Sequence, residues 1–383
     1  MLFHQVIGQH EVKQRLIQSY REARLSHAQL LFGPQGSGVL PLALAFAQYI
    51  TCENPREHDS CGVCSSCIKN QKMVHPDVHY SFPVATVRGI AKPKSTDFLK
   101  EFRETVLSNP YLNLNDWYAE MLDSENKQGF MSVEESADIN RKLNLKSYES
   151  EYRILLMWMP EKMRTEAANK LLKIIEEPPD KTIFLLVTEN QDQLLATVLS
   201  RLQMIKVKRL SDHDIQEALQ RINNLPADHA RSIAHLCEGN YHAAQSLSQH
   251  EQNDEPFEKQ FLTWMRLCFA PYKHTGKLLT YVDEKSKTGR EQQKAFLQSC
   301  IHTIRECMII QINEPQLLRM DDQQVSTLKD FVRFITPNNI SAITQSLNDA
   351  CYHIERQANA KILFLDLSLR IHQLLHQQQH AEV

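Results

Sequence analysis

Between residues 29 and 50 the chain runs from a short apolar stretch, Gln29-Leu30-Leu31-Phe32, through a loop carrying Gly33, Gly36 and Gly38, into an Ala- and Leu-rich segment without a break. That succession predicts strand, loop and helix, and it turns the free N–H groups of the helix N-terminus toward the loop, where an anion is favoured. Only 10 glycines occur in the 383 residues, so three within six positions mark a backbone requirement. Gly33 and Gly38 have the spacing of the first and sixth positions of a phosphate-binding loop. The next two positions, where such a loop carries a lysine for the phosphates and a Ser or Thr for Mg²⁺, are Val39 and Leu40. Neither side chain can do that chemistry, although the N–H groups of residues 36–39 can still face an anion. The plainer alternative is a glycine turn that merely joins strand to helix. The strands that follow favour a nucleotide fold whose loop has lost its catalytic side chains.

Residues 153–159 and 182–188 are apolar runs bounded by charge, as buried parallel strands require, and 78–82 is a third strand candidate. Residues 165–177 have helical composition and stop at Pro178-Pro179. This βαβ alternation implies a parallel sheet covered on both faces. Residues 11–24 read as a helix, while 86–129 are polar and proline-interrupted until helical spacing returns near Met131. We therefore expect an insertion over about 80–150 with weak structure of its own. Beyond Leu210 the pattern is helical: Ser211 caps 212–221, and 228–237 and 241–248 complete a three-helix unit. Amphipathic helices follow from 257 to 377, among them 292–311 and 350–376, without an internal repeat. The expected class is α/β plus all-α, divided into domains 1–209, 210–250 and 251–383.

Forty-three Lys and Arg against 46 Asp and Glu leave a net charge of -3, so no global field points to nucleic acid or an anionic membrane. Any DNA contact must be local. The first residues lack the apolar core of a signal peptide, and no stretch approaches the roughly 18 apolar residues of a membrane span, which predicts a soluble, cytoplasmic chain. Of nine cysteines, Cys52, Cys61, Cys64 and Cys67 crowd together in a C-x8-C-x2-C-x2-C pattern. Four thiolates at that spacing suit a structural Zn²⁺ site with no open position for water. An iron–sulfur cluster and redox thiols are the alternatives, and His58, His75 and His79 are nearby but superfluous as ligands.

Together with the loop and the cysteines, the helix Asn169-Lys170-Leu171-Leu172-Lys173-Ile174-Ile175-Glu176-Glu177-Pro178-Pro179, the pair Ser200-Arg201, and Gly8-Gln9 and His27-Ala28 carry a family resemblance. Over about residues 3 to 210 the chain resembles the clamp-loader ATPases of the AAA+ group, most closely the delta-prime subunits of bacterial DNA polymerase III. The resemblance implies an AAA+ P-loop NTPase-like sheet domain with a zinc module over 52–67, a three-helix lid and a helical collar for oligomerisation.

It also implies an open ring of five subunits around primed DNA, with each ATP at a subunit boundary where the neighbour supplies the arginine of a Ser-Arg-Cys motif. Here that motif reads Ser200-Arg201-Leu202. A trans arginine of this kind is worth as much as about 10³ to 10⁵ in rate, and the plainer alternative for Arg201 is a surface arginine at a helix end. The Mg²⁺-binding Asp and the catalytic Glu of the family fall on Trp158 and Met159, and the lid arginine falls on His242. The implied role is a subunit that assists a neighbour without hydrolysing ATP, part of the DNA-directed DNA polymerase holoenzyme by association.

The implied partners are the gamma or tau motor subunits, the delta subunit, the sliding clamp and, through the complex, primer-template DNA; none is a membrane. Lys206-Val207-Lys208-Arg209 is the best local basic patch, yet alternate residues of an edge strand explain it equally well. Two other readings are an active AAA+ motor, against which Val39, Leu40, Trp158 and Met159 argue, and a zinc-dependent nucleic-acid-binding module, for which the mixed segment 53–66 is a poor fit.

Overall fold

A computed structural model describes residues 1–86, 90, 92–121, 129–250, 257–318, 320, 322–356 and 358–376. Parts of the expected insertion (87–89, 91 and 122–128), the residues after the 250/251 boundary (251–256) and Gln377 fall outside the described residues. The chain divides into two compact units, one of Met1–Ile215 with Gly239–His242 and one of Gln216–Glu238 with Ala243–Val383. The finer division into sheet, lid and collar domains remains a proposal.

The first unit is built on five strands: β1 (Ala28–Phe32), β2 (Val78–Ser81), β3 (Arg153–Trp158), β4 (Thr182–Thr188) and β5 (Gln203–Lys206). All pairings are parallel and the spatial order is β2-β3-β4-β1-β5. The apolar runs at 153–159 and 182–188 therefore become the central strands, and every residue of β4 is buried. Eight helices accompany the sheet: α1 (His10–Arg21), α2 (Val39–Ile50), α3 (Ser65–Gln71), α4 (Leu99–Ser108), α5 (Leu114–Met121), α6 (Val133–Leu143), α7 (Thr165–Glu176) and the single turn α8 (Ala196–Leu199). Because strand side chains alternate, Ile154, Leu156, Trp158, Leu185 and Val187 pack with α2 on one face. Leu155, Met157, Phe184 and Leu186 pack with α6 and α7 on the other. The expectation of a sheet covered on both faces holds.

The expectation of a weakly structured insertion does not. Phe98, Phe102 and Val106 recur at four-residue spacing and are buried in the main core, as is Trp117 of α5. Phe82 stacks on Phe102 at 3.8 Å between centroids, and Trp117 meets both rings edge-on at 5.2 Å. Each such pair adds about 0.5–1.5 kcal/mol beyond its buried area. The Trp117 indole N–H donates to the Pro83 carbonyl at 2.8 Å, and the buried Glu135 carboxylate accepts from Ser81 Oγ, Ser95 N and Ser95 Oγ. The segment is thus fastened to the end of the sheet by aromatic packing and a satisfied polar cluster. Its average polarity hides this, because only one residue in four needs to be apolar.

The remaining helices are α9 (Asp212–Asn223), α10 (Ala227–Leu236), α11 (Tyr241–His250), α12 (Phe257–Phe269), α13 (Thr275–Lys287), α14 (Arg290–Ile312), α15 (Asp322–Leu328), α16 (Ile340–Glu355) and α17 (Ala360–His376). Ser211 caps α9 as expected, its hydroxyl accepting from Asp214 N while the Asp214 carboxylate accepts from Ser211 N. The second unit has its own core, in which α12, α14, α16 and α17 enclose Phe261, Trp264, Leu297, Ile304, Leu347 and Phe364. Residues 350–376, expected to form one helix, instead belong to two. Asn359 ends the continuity by accepting the Ile362 N–H on its side chain, which starts α17 afresh. Among the described residues no helix is long and apolar enough to cross a membrane.

Candidate functional site

The glycine loop follows β1 and opens α2, so the sheet delivers it to the C-terminal ends of the strands, where parallel α/β sheets form their crevices. Gly36 and Gly38 adopt left-handed φ values of 70° and 90°, which explains glycine at both. Gly33 is glycine for space: a Cβ there would lie 2.4 Å from the Val207 carbonyl oxygen. At Gly36 a Cβ would lie 1.9 Å from Asn240 Oδ1, and Tyr241 N donates to Gly36 O at 3.2 Å. Val39 and Leu40 are buried in the core. Over the loop a cavity of about 20 Å³ remains, room for a single water.

The neighbouring strand ends carry Trp158 and Met159, both 2% exposed. Trp158 packs against Phe102 at 5.6 Å and lines the cavity. Met159 turns the chain in a left-handed conformation, φ 55°. After β4, burial, reinforced by the nearby Glu161 carboxylate, pushes the Glu189 carboxyl up to about 7. His242 is 5% exposed, and its Nε2 lies 2.7 Å from Asp116 Oδ2.

Ser200 and Arg201 sit elsewhere. They follow α8 and precede β5, whose Gln203 pairs with Gln29 and whose Lys206 pairs with Phe32 in parallel register. The four steps from Gln29 to Gly33 span about 13 Å of strand, and Arg201 lies two residues beyond Gln203 on the side away from the loop. The arginine and the glycine loop thus occupy opposite ends of adjacent strands. Arg201 Nη1 donates to Thr197 O at 2.6 Å and to Ser200 Oγ at 3.1 Å, and its Nε pairs with Glu176. Leu202 turns inward and is buried with Leu194 and Val198. The leucine where the resemblance has a cysteine therefore serves the core and leaves Arg201 directed outward. Lys206 and Lys208 are exposed and Val207 is buried, the alternation of an edge strand.

The four cysteines converge. Cys52 follows α2, Cys64 caps α3 and Cys67 lies in its first turn, and all four sulfurs are within 4.8 Å of one another. Cys52 and Cys67 are separated by 3.5 Å and Cys61 and Cys67 by 3.8 Å, close to the edge of about 3.8 Å of a tetrahedron with metal–sulfur bonds of about 2.3 Å. The backbone N–H groups of Cys61, Cys64 and Cys67 point at the sulfurs of Cys52, Cys61 and Cys64 at 3.3–3.4 Å. Such donors stabilise thiolates. The residues present fit a metal ion. Among the described residues the group contains no histidine: His58 is exposed, and His75 accepts the Asp77 N–H.

Sequence reasoning named the loop, the cysteines and Arg201 but missed Tyr111, Asp116, Glu176 and Glu189. Tyr111 is joined to Ile7 and Asp116 to His242 across more than 100 residues, and no local pattern signals such a contact. Glu176 lies inside the Leu-Leu-Lys helix motif, where nothing local marks it as the partner of Arg201.

A family model described as DNA polymerase III, delta subunit, matches residues 8–211. The Escherichia coli protein named DNA polymerase III subunit delta' is 24% identical over 368 residues, 94% of this chain and 93% of that protein. The Bacillus subtilis protein of the same name is 27% identical over 321 residues, 82% and 81% of the two chains. A Bacillus subtilis DNA polymerase III subunit tau is 24% identical over 220 residues, 57% of this chain and 31% of its own length. The matched region is the parallel-sheet unit with its glycine loop. On these grounds the chain belongs to the DNA polymerase III, delta subunit, family.

Proposed function

We propose that this chain is a non-hydrolysing subunit of the DNA polymerase III clamp loader. It completes a ring of five, presents Arg201 to the ATP held by a neighbouring gamma or tau motor subunit, and helps place the sliding clamp on primed DNA together with the delta subunit. The observation that carries this reading is the separation of two sites: Val39, Leu40 and Trp158 line the chain's own loop cavity with apolar side chains and Met159 is buried in the same core, while Arg201 stands at the opposite end of adjacent strands. A guanidinium so placed does not serve its own loop, whereas a neighbour's γ-phosphate is a fitting partner for its planar donor fork.

Cys52, Cys61, Cys64 and Cys67 would hold Zn²⁺ as a closed structural site. Bound there, the ion supplies a cross-link between the end of α2 and the start of α3 and no reactive position. The test of the helper role is hydrolysis of Mg-ATP by the chain alone and by the loader assembled with it. Silence of the isolated chain and clamp-stimulated turnover of the assembly are expected. Turnover by the isolated chain refutes the reading.

A further inference from the structure

We propose that residues 109–116 are a built-in occupant of this chain's nucleotide site, supplying from the protein itself the aromatic ring and the anion that a nucleotide would bring. Four contacts meet there, three made by Tyr111 and one by Asp116. The Tyr111 ring covers the glycine loop, with Cε1 standing 3.2 Å from the place where a Cβ on Gly38 would be. Its hydroxyl accepts the buried Ile7 N–H at 2.8 Å. Its ring meets Tyr241 at 4.8 Å and 67°. Asp116 places a carboxylate 2.7 Å from Nε2 of His242, the residue next to Tyr241.

The segment is built rather than draped. Asn109 Oδ1 accepts the Tyr111 N–H, and Asn113 and Asp116 accept each other's N–H groups, each at 2.9–3.1 Å. Trp117, the next residue, is anchored by its bond to Pro83 and by Phe82 and Phe102. Pro110, Tyr111 and Leu112 line the cavity of about 20 Å³ beside the loop. The N-terminal segment, the glycine loop and residues 241–242 are therefore tied together by covalently attached groups, and their arrangement does not depend on an exchangeable ligand.

This goes beyond the absence of hydrolysis, since a site can fail to hydrolyse ATP and still bind it. The experiment is thermal melting of the full chain with and without about 1 mM Mg-ATP or Mg-ADP, for the wild type and for Tyr111→Ala, the latter also with phenol. The wild type should melt within about 1 °C of the same temperature in all cases. A ligand at a hundredfold excess over its Kd would raise it by about 5 °C or more. Tyr111→Ala should melt several degrees lower and recover at least half the loss when phenol fills the vacated ring site. If that variant does not fold, Tyr111→Phe decides: losing the hydroxyl should speed Ile7 amide exchange by about tenfold or more with the sheet amides unchanged. A nucleotide-induced rise in the wild type, a Tyr111→Ala chain that melts normally, or an unchanged Ile7 amide overturns the inference. Binding without hydrolysis would overturn it alone, whereas hydrolysis by the isolated chain would overturn the proposed function as well.

Discussion

The glycine loop and the Ser200-Arg201 pair border adjacent strands of one sheet, and the chain treats them oppositely. At the loop the positions for phosphate and metal chemistry are apolar, buried and covered by Tyr111. At the other end Arg201 keeps a guanidinium at the surface, steadied by Thr197 and Glu176. Under the proposed role the loop has no chemistry of its own to keep, while the work of Arg201 lies in a neighbouring subunit and the fold of this chain does not depend on it. The closed side should therefore respond to damage in stability and the open side in function.

The largest effect on stability is expected at the cysteine group, which lies at the far end of α2 from the glycine loop. Removing the metal, or making Cys64→Ser with Cys67→Ser, should cost on the order of several kcal/mol up to about 10. Metal analysis of the native chain should give one zinc per molecule, and a native chain that melts unchanged after chelation would break the assignment. Next comes Trp117→Ala, at about 3–5 kcal/mol in denaturant unfolding, because it removes a fully buried ring that holds α5 down. A loss below about 1 kcal/mol would return the insertion to the weakly structured state its polarity suggests.

Glu189 sharpens the comparison through pH. Its carboxyl lies at about 7 in the fold against an ordinary 4.5, so between those values the folded chain keeps a proton that the unfolded chain has released. Stability accordingly falls as pH rises through that window. Glu189→Gln should match the wild type near pH 4.5 and exceed it near pH 8 by on the order of 2 kcal/mol. Equal stability at both ends would show the carboxyl to be solvated. The smallest stability effect belongs to the open side: Arg201→Ala should change unfolding by no more than about 0.5 kcal/mol, since its ion pair with Glu176 is partly exposed.

How much of this could be read from the sequence follows the range of the interactions. The strands at 153–159 and 182–188 were visible because complete burial writes a continuous apolar run. The cysteine group was visible because its ligands lie within sixteen residues. The insertion was misread because Phe102 and Trp117 find their partners in Phe82 and Trp158, across the end of the sheet. Tyr111 and Asp116 were invisible as site residues because their meaning comes from Ile7 and His242, far away in the chain. Residues 350–376 look like one helix in sequence because the apolar pattern continues across the Asn359 cap.

The most direct test of the account is single-turnover ATP hydrolysis by the loader reconstituted with motor and delta subunits, clamp and primed DNA, comparing the native chain with Arg201→Ala. The mutant should assemble and melt as the native chain does, while hydrolysis at the adjoining motor site slows by about 10³-fold or more. Unchanged hydrolysis in a complete assembly would contradict it and leave a subunit that holds the ring together without contributing to its chemistry.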